Sequence, residues 1–345
     1  MSLAIALMAQ AGHCAALGSP FMARMLPLLA QVWPHGSDLD ADIQAYQGDI
    51  GPKGHSLPLR LASGLHALVL TGQDAALIAA YPPNAVSDAA LQAALSDALQ
   101  THSPFLRNWI TSPPQTNEVR RSAALIAGTH AIVAMTRVPE IHLSELGASG
   151  GLNLMFDQYA LETAQGRLGP DTPALTLTPD WSGPLPKLTG FTMQDRRGVD
   201  LNPLNPRDPA DALRLRAYLW ADQPDRLALT EAALAASAAA VDRGDAVDWL
   251  ERRLATAPAG RTHLITHTIA WQYFPAERQA KGTALIEAAG ARATAVTPLA
   301  WLRMEADDGT RGAALTARVW PGDRYIALGR ADFHGRWVDW QGDPT

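Results

Sequence analysis

Residues 141–160, IHLSELGASGGLNLMFDQYA, pass from an apolar run through a glycine-rich turn into an apolar, helix-like pattern. The run before the turn, EIHLSEL (140–146), is short, nearly continuously apolar and bounded by Pro139 and Gly147. Those are the marks of a strand buried on both faces of a parallel sheet. A strand that enters a helix through glycines brings the backbone close to the sheet's carboxyl edge, where open α/β sheets hold their ligands. What such a turn holds depends on the residues around its glycines.

The dinucleotide fingerprint requires glycine at its first, third and sixth positions; counted from Gly147, the third is Ser149 and the sixth Leu152, so the pattern fails. No Gly-Lys-Ser/Thr follows, which excludes a P-loop. The string present is Glu145-x-Gly147-x-x-x-Gly151-x-Asn153, with Ala148, Ser149 and Gly150 filling the turn. A carboxylate at the lip repels a pyrophosphate and favours a cation, such as the ammonium of an amino-acid moiety. S-adenosylmethionine has an ammonium, a sulfonium and no phosphate, so the turn leans towards that cofactor and away from nicotinamide dinucleotides. Its ribose requires a second acid at the end of the next strand. GVDLNP (198–203) offers Asp200, with Leu201 and Asn202 available beside the adenine. Asp200 follows Gly147 by 53 positions (200 − 147), against about 20 in the usual unit. The Pro-rich LGPDTPALTLTPDWSGPLPK (168–187), read as an insertion, accounts for the excess. Glu162 has the more ordinary spacing and is the rival, but no equally clear strand end precedes it, so Asp200 is favoured. The glycines alone would also suit a tight turn with close helix–sheet packing.

Before this stretch, residues 1–136 read as a helical region that would act as a lid and substrate region. SPFMARMLPLLAQVW (19–33) opens on Ser-Pro. HSLPLRLASGLHALVLTG (55–72) offers Ser56 as a cap and Pro58 in the first turn, with Leu57, Leu61, Leu65 and Leu68 in one stripe and Gly72 as a stop. DAALQAALSDALQ (88–100) and NEVRRSAALIAGTHAIVAM (117–135) are further helices. Residues 137–345 read as an α/β domain with an insertion near 160–195. RRGVDLNPL (196–204) is a strand entering a turn, and DPADALRLRAYLW (208–220) a helix capped by Asp208. QPDRLALTEAALAASAAAV (223–241) and DAVDWLERRLA (245–255) read as helices, THLITHTIAWQYF (262–274) as a strand, and AERQAKGTALIEAAG (276–290) as a helix with Gly290 at its C-cap. After the strand RATAVTPLAWLRM (292–304), an antiparallel pair, AALTARVW (313–320) and RYIALGRAD (324–332), closes the chain around Pro-Gly-Asp. The alternation predicts an α/β fold with a doubly wound, mostly parallel sheet and an antiparallel C-terminal strand pair.

With 345 residues, 47 % of them hydrophobic and only 18 % charged, the chain can bury a sizeable core. The net charge of −6, with no basic stripe, argues against a nucleic-acid partner. A single cysteine, Cys14, excludes an intramolecular disulfide framework and a Cys-based zinc site, and reads as a buried bystander thiol. The start MSLAIALMAQAGHCAAL lacks the basic n-region of a signal peptide, and no window reaches the ~18 apolar residues of a membrane span. A cytoplasmic protein with a small-molecule substrate and no membrane partner is expected.

His267, Trp271 and Gln272 follow the fourth strand, where a substrate would lie, and His267 is the candidate general base because an imidazole titrates near neutrality. Its ordinary alternative is a hydrogen-bonded core histidine. His263 and His267 share a strand face, yet no acidic third ligand is in reach, so no metal site is expected. Asn117 and Glu118 open a helix after a Pro-Pro turn; favourable placement on the helix dipole alone would explain Glu118. Arg60 and His66 lie in a largely apolar helix, where helix–helix polar contacts would explain both. His334 in DFHGRW is a further candidate substrate contact. No Gly-x-Ser-x-Gly elbow or His-Glu-x-x-His helix occurs.

ELGASGGLNL (145–154) resembles the first motif of class I S-adenosylmethionine-dependent methyltransferases. LPLRLASGLHALVLTG (57–72), QTNEVRRSAAL (115–125), RRGVDLNPLNP (196–206), HTIAWQYFP (267–275) and DFHGRWVDW (332–340) are similar to a bacterial family catalogued as a domain of unknown function and grouped with that fold. The resemblance runs from about residue 19 to 340. It implies a Rossmann-like, methyltransferase-type sheet behind a helical region, with a cofactor site at Glu145, Gly147, Gly151 and Asp200. It also makes the end around Asn117 and Glu118 a candidate to fold over the pocket. Many amino-methylating members carry an Asp/Asn-Pro-Pro-aromatic motif after the fourth strand. ITHTIAWQYF (265–274) stands there without it, which argues against N-methylation of nucleic-acid bases or protein amides. The expected function is S-adenosylmethionine-dependent methylation of an unidentified small molecule; the alternatives are a non-catalytic ligand-binding or interaction protein and, third, a nicotinamide oxidoreductase.

Overall fold

Helix starts in the first 116 residues follow local chemistry. The computed structural model describes residues 1–52, 54–309 and 311–342, so the last three residues of the expected 137–345 domain lie outside the described residues. The chain divides into two units, Met1–Thr116 with Asp208–Ala228, and Asn117–Arg207 with Leu229–Thr345. The first unit holds α1 (Leu3–Ala16), α2 (Pro20–Gln31), α3 (Asp38–Gln44), α4 (Leu57–Leu70), α5 (Ala75–Ala80), α6 (Asp88–Thr101) and α7 (Ser103–Ile110). Ser19 caps α2 by accepting the Met22 N–H, with Pro20 at the first position, and Ser87 caps α6 through the Ala90 N–H. The Leu57, Leu61, Leu65 and Leu68 stripe of α4 is wholly buried. Ser56 departs from expectation: it stands at the cap position with φ +51, and its hydroxyl donates to the Pro52 carbonyl instead of capping. Arg60 donates to the His55 and Ile110 carbonyls, and His66 Nδ1 donates to Ala217 O (3.2 Å), so both make polar contacts inside the unit.

The second unit begins before α8 (Ser122–Thr136), which belongs with the sheet rather than with the N-terminal helices. Gly128 of α8 lies so close to Leu302 that a Cβ there would come within 2.7 Å of its methyls. β1 (Glu140–Leu146) then leads through the glycine turn into a 3-10 stretch, Leu152–Gln158, and not into an α-helix. This apolar segment is closed at once by the Tyr159 hydroxyl donating to Leu152 O, and passes into β2 (Tyr159–Thr163). β3 (Gly166–Leu168) and β4 (Leu175–Leu177) flank β2 in a small sheet, followed by β5 (Asp180–Ser182) and β6 (Thr192–Asp200). This small sheet and β5 thus occupy the chain between the 3-10 stretch and β6.

α9 (Pro209–Ala217), capped by Asp208, belongs to the first unit, and α10 (Pro224–Ala236) carries the boundary between Ala228 and Leu229. β7 (Ala240–Arg243), α11 (Ala246–Arg253), β8 (Thr262–Thr268), α12 (Ala276–Ala291), β9 (Leu299–Glu305), β10 (Ala313–Trp320), β11 (Arg324–Ala331) and β12 (Trp337–Trp340) complete the unit. β7 was not foreseen, because SAAAV reads as the end of a helix; pairing with Arg197–Asp200 of β6 makes it a strand. Gly290 is no C-cap. It sits inside the last turn of α12 against the Trp320 ring, and Arg292 occupies the cap.

The main sheet runs β5-β12-β11-β10-β9-β8-β1-β6-β7, with β7, β6, β1, β8 and β9 mutually parallel. β10, β11 and β12 form an antiparallel meander on β9, so the expected pair is extended by a third short strand. Strand alternation divides the core. Ile141, Leu143, Leu264, Ala300 and Leu302 join the α8 side, while Leu146, Ile265, Leu299 and Trp301 join Trp249 of α11 and Ile286 of α12. Among the described residues no helix is long and apolar enough to cross a membrane.

Candidate functional site

From β1 the chain proceeds to β6 and β7 on one side, then to β8 and β9 on the other, so strand order reverses between β1 and β8. A crevice beyond the carboxyl ends at such a reversal is where open α/β sheets bind ligands. Gly147 leaves β1 with φ +71, and a Cβ there would lie 2.5 Å from the Ala270 Cβ, so the turns after β1 and β8 meet directly. The amides of the first turn are engaged in succession. Gly147 and Ala148 donate to Val199 O, Ser149 to Asp200 Oδ2 (2.9 Å), Gly151 to Ala148 O and Leu152 to Asn117 Oδ1 (2.9 Å). Gly150 is buried between them. A turn whose N–H groups are committed in this way, with no α-helix behind it, is poorly suited to cradle phosphate.

Two carboxyls stand at this edge. Glu145, on the α8 face of β1, is 3 % exposed, and its Oε2 has no hydrogen-bond partner. Burial and then the charge of Asp200, opposed by Arg121, push its carboxyl up to about 8. Asp200 ends β6 half-buried, accepting the Ser149 N–H on Oδ2 and the Asn202 N–H on Oδ1 (2.8 Å), which leaves each oxygen a lone pair for an outside donor. Leu201 beside it is 66 % exposed, and Arg243 donates to the Leu201 carbonyl and to Asn202 Oδ1. Glu162 lies elsewhere, exposed on β2 and paired in register with Arg167 of β3.

The segment ahead of α8 meets the same turns. Asn117 is buried and holds Leu152, Glu118 Oε1 accepts from the Arg120 backbone and guanidinium, and the Ser122 hydroxyl donates to Asn153 Oδ1 (2.8 Å). Arg121 donates to Thr268 O and Phe333 O, joining the turn after β8 to the 332–336 loop. In that loop the Asp332 carboxylate collects the amides of His334 and Arg336, and Gly335 presses against the Arg120 backbone.

His267 is not available as a general base. Its ring is 0 % exposed, Nδ1 donates to Glu305 Oε1 (2.7 Å), Nε2 accepts from the Trp301 indole (2.9 Å), and Trp271 stacks on its face. As the odd-numbered residue of β8 it points into the α11–α12 core, away from the face that carries Glu145. Trp271 is likewise a core side chain, and Gln272 Oε1 accepts the Ala306 N–H. His263 shares a hydrogen bond with Ser144, so the two histidines do not converge.

Glu305 was missed by sequence reasoning. Although burial opposes ionisation, His267 and the amides of Ala270 and Trp271 hold its carboxyl below the usual range. It thereby fixes a turn in which Ile269, a β-branched residue, has φ +54. An acid ending the apolar strand LAWLRME was the available signal. Arg121 was missed as well, though it lies inside a quoted segment of resemblance.

No curated protein and no solved structure matches the chain. A family model described as "Uncharacterized protein conserved in bacteria (DUF2332)" matches residues 4–340. The match spans nearly the whole chain, site segments included, and the protein belongs to that family.

Proposed function

We propose that this protein binds S-adenosylmethionine at the carboxyl edge of β1 and β6 and transfers its methyl group to a small molecule. Numbered by place in the chain, the five parallel strands run 3-2-1-4-5, an order that supports a Rossmann-like, methyltransferase-type frame. The observation that carries the reading is Glu145: a buried carboxyl oxygen without a partner, at the strand-order reversal and beside a second acid. A buried acceptor in that position calls for a donor. An ammonium supplies one to Glu145, ribose hydroxyls supply others to Asp200, and the backbone around Leu201 and Asn202 would flank the adenine. The committed amides of the first turn speak against a dinucleotide in the same place.

When bound, the sulfonium supplies an electrophilic methyl. The chain's own contribution is positioning: Gly147 against Ala270 and Asp200 on the Ser149 amide hold the edge in place before any ligand arrives. With His267 committed to Glu305 and Trp301, the favoured acceptor is one that is nucleophilic without a protein imidazole. Calorimetry tests the reading. Wild type binds S-adenosylmethionine and its demethylated product, and Asp200→Ala loses both; failure of wild type to bind either refutes it. The engagement of His267 favours a second reading, ligand binding without transfer. Binding that Asp200→Ala abolishes, with no turnover across a metabolite panel, would select that one.

A further inference from the structure

Resting on the reading above, we propose that Glu145 carries a proton in the ligand-free protein and releases it to solvent when the ligand's ammonium docks, so that binding is coupled to the loss of one proton. The groups facing Glu145 come from several elements. Asp200 faces it from the end of β6, Arg121 from the segment before α8, and Tyr159 from β2. Its strand neighbours in register are Gly198 on β6 and Thr266 on β8, neither of which carries charge. The Arg121 guanidinium is directed at the carbonyls of Phe333 and Thr268, and the Tyr159 hydroxyl at Leu152 O.

Two acids therefore share one edge in unlike surroundings. Asp200 is half-buried and receives two backbone amides; Glu145 is buried, and Oε2 receives none. In such a pair the fully buried acid, Glu145, is the one whose surroundings disfavour the charged form. Burial and Asp200 push the Glu145 carboxyl up to about 8, so at pH 7 roughly nine-tenths of it is protonated. An adjacent ammonium reverses the preference, because an opposite charge at contact favours the carboxylate. The O–H bond of Glu145 breaks and its proton passes to bulk water. The ammonium keeps all its protons and donates to the new carboxylate, so one proton leaves and no other bond changes.

The test is titration calorimetry of the full chain with the demethylated product, S-adenosylhomocysteine, in buffers of different ionisation enthalpy at pH 7. The expected release is close to one proton per ligand, with affinity rising nearly tenfold from pH 6 to pH 7. 5′-Methylthioadenosine, which lacks the amino-acid moiety, should bind with no release. Infrared difference spectra of wild type should lose a protonated carboxyl band on adding S-adenosylhomocysteine; this measurement does not depend on a variant folding. In Glu145→Gln the release should vanish. Binding that is independent of buffer and pH, or an unchanged release in Glu145→Gln, overturns the inference while leaving the cofactor reading intact. Failure of S-adenosylhomocysteine and S-adenosylmethionine to bind wild type refutes that reading instead.

Discussion

Replacing Glu145 by glutamine should alter the pH dependence of stability in one direction only. Its carboxyl is raised from an ordinary 4.5 to about 8, first by burial and then by Asp200. The folded state therefore holds a proton that the unfolded state has already lost, and this contribution is complete below pH 4.5 and disappears as pH rises through 8. Between the two values the slope approaches 1.36 kcal/mol per pH unit, so from pH 5 to pH 8 wild type loses about 3 kcal/mol that the variant keeps. At 3 % exposure, solvent screening does little to reduce this. The amide's own imperfect fit adds a term independent of pH, which cancels when the difference between the two proteins is followed. Urea unfolding of both, at half-unit steps from pH 5 to 8.5, reads that difference directly. A difference that stays flat within about 0.5 kcal/mol would show that Glu145 is ionised throughout, and would remove the physical basis for a neutral acid at the sheet edge.

Gly147→Ala should destabilise the protein by about 3 kcal/mol, because φ is +71 and the new methyl meets the Ala270 Cβ at 2.5 Å; a thermal melt within 2 °C of wild type would contradict this. Glu305→Gln should weaken the protein by about 2–4 kcal/mol and speed amide exchange in residues 268–273, since the carboxylate holds two amides and the His267 ring against a strained Ile269; unchanged exchange there would reject the restraint. His130 acts on the acid side. Burial lowers it from 6.5 to about 4, its Nδ1 accepts the Thr189 N–H, and Nε2 has no partner. Its contribution is present above pH 6.5 and is lost as pH falls towards 4, by about 3 kcal/mol, and His130→Gln should flatten that limb of the stability curve.

Much of the frame was legible in local sequence. The run 140–146 became a buried strand over the same residues, and Ser19 and Asp208 cap helices at the expected starts. The failures have particular physical causes. The apolar run after Gly151 lies as a 3-10 stretch whose first two residues, Leu152 and Asn153, are held by Asn117, Ser122 and Tyr159, partners that are remote in sequence or arrive from a strand. Ala240 and Val241, at the end of a run of helical composition, instead begin the edge strand β7, because β6 offers residues 240–243 a free ladder. Gly290 looked like a stop signal, whereas its missing side chain makes room for Trp320.

The site divides along the same line. Composition and spacing placed acids at the ends of two strands and glycines between them, because strand ends, turns and charge are properties of neighbouring residues. Which way a side chain faces depends on the layer packed above it. His267 lies at the expected carboxyl end of β8, but alternation sends it beneath the sheet to Glu305 and Trp301, whereas Glu145 on the opposite face is buried beside Asp200 and Arg121. An acid that reads in one dimension as a charged lip becomes, once desolvated by its neighbours, one that holds its proton to a higher pH. That change arises from burial and from a charge 55 residues away (200 − 145), and neither is written in the local sequence.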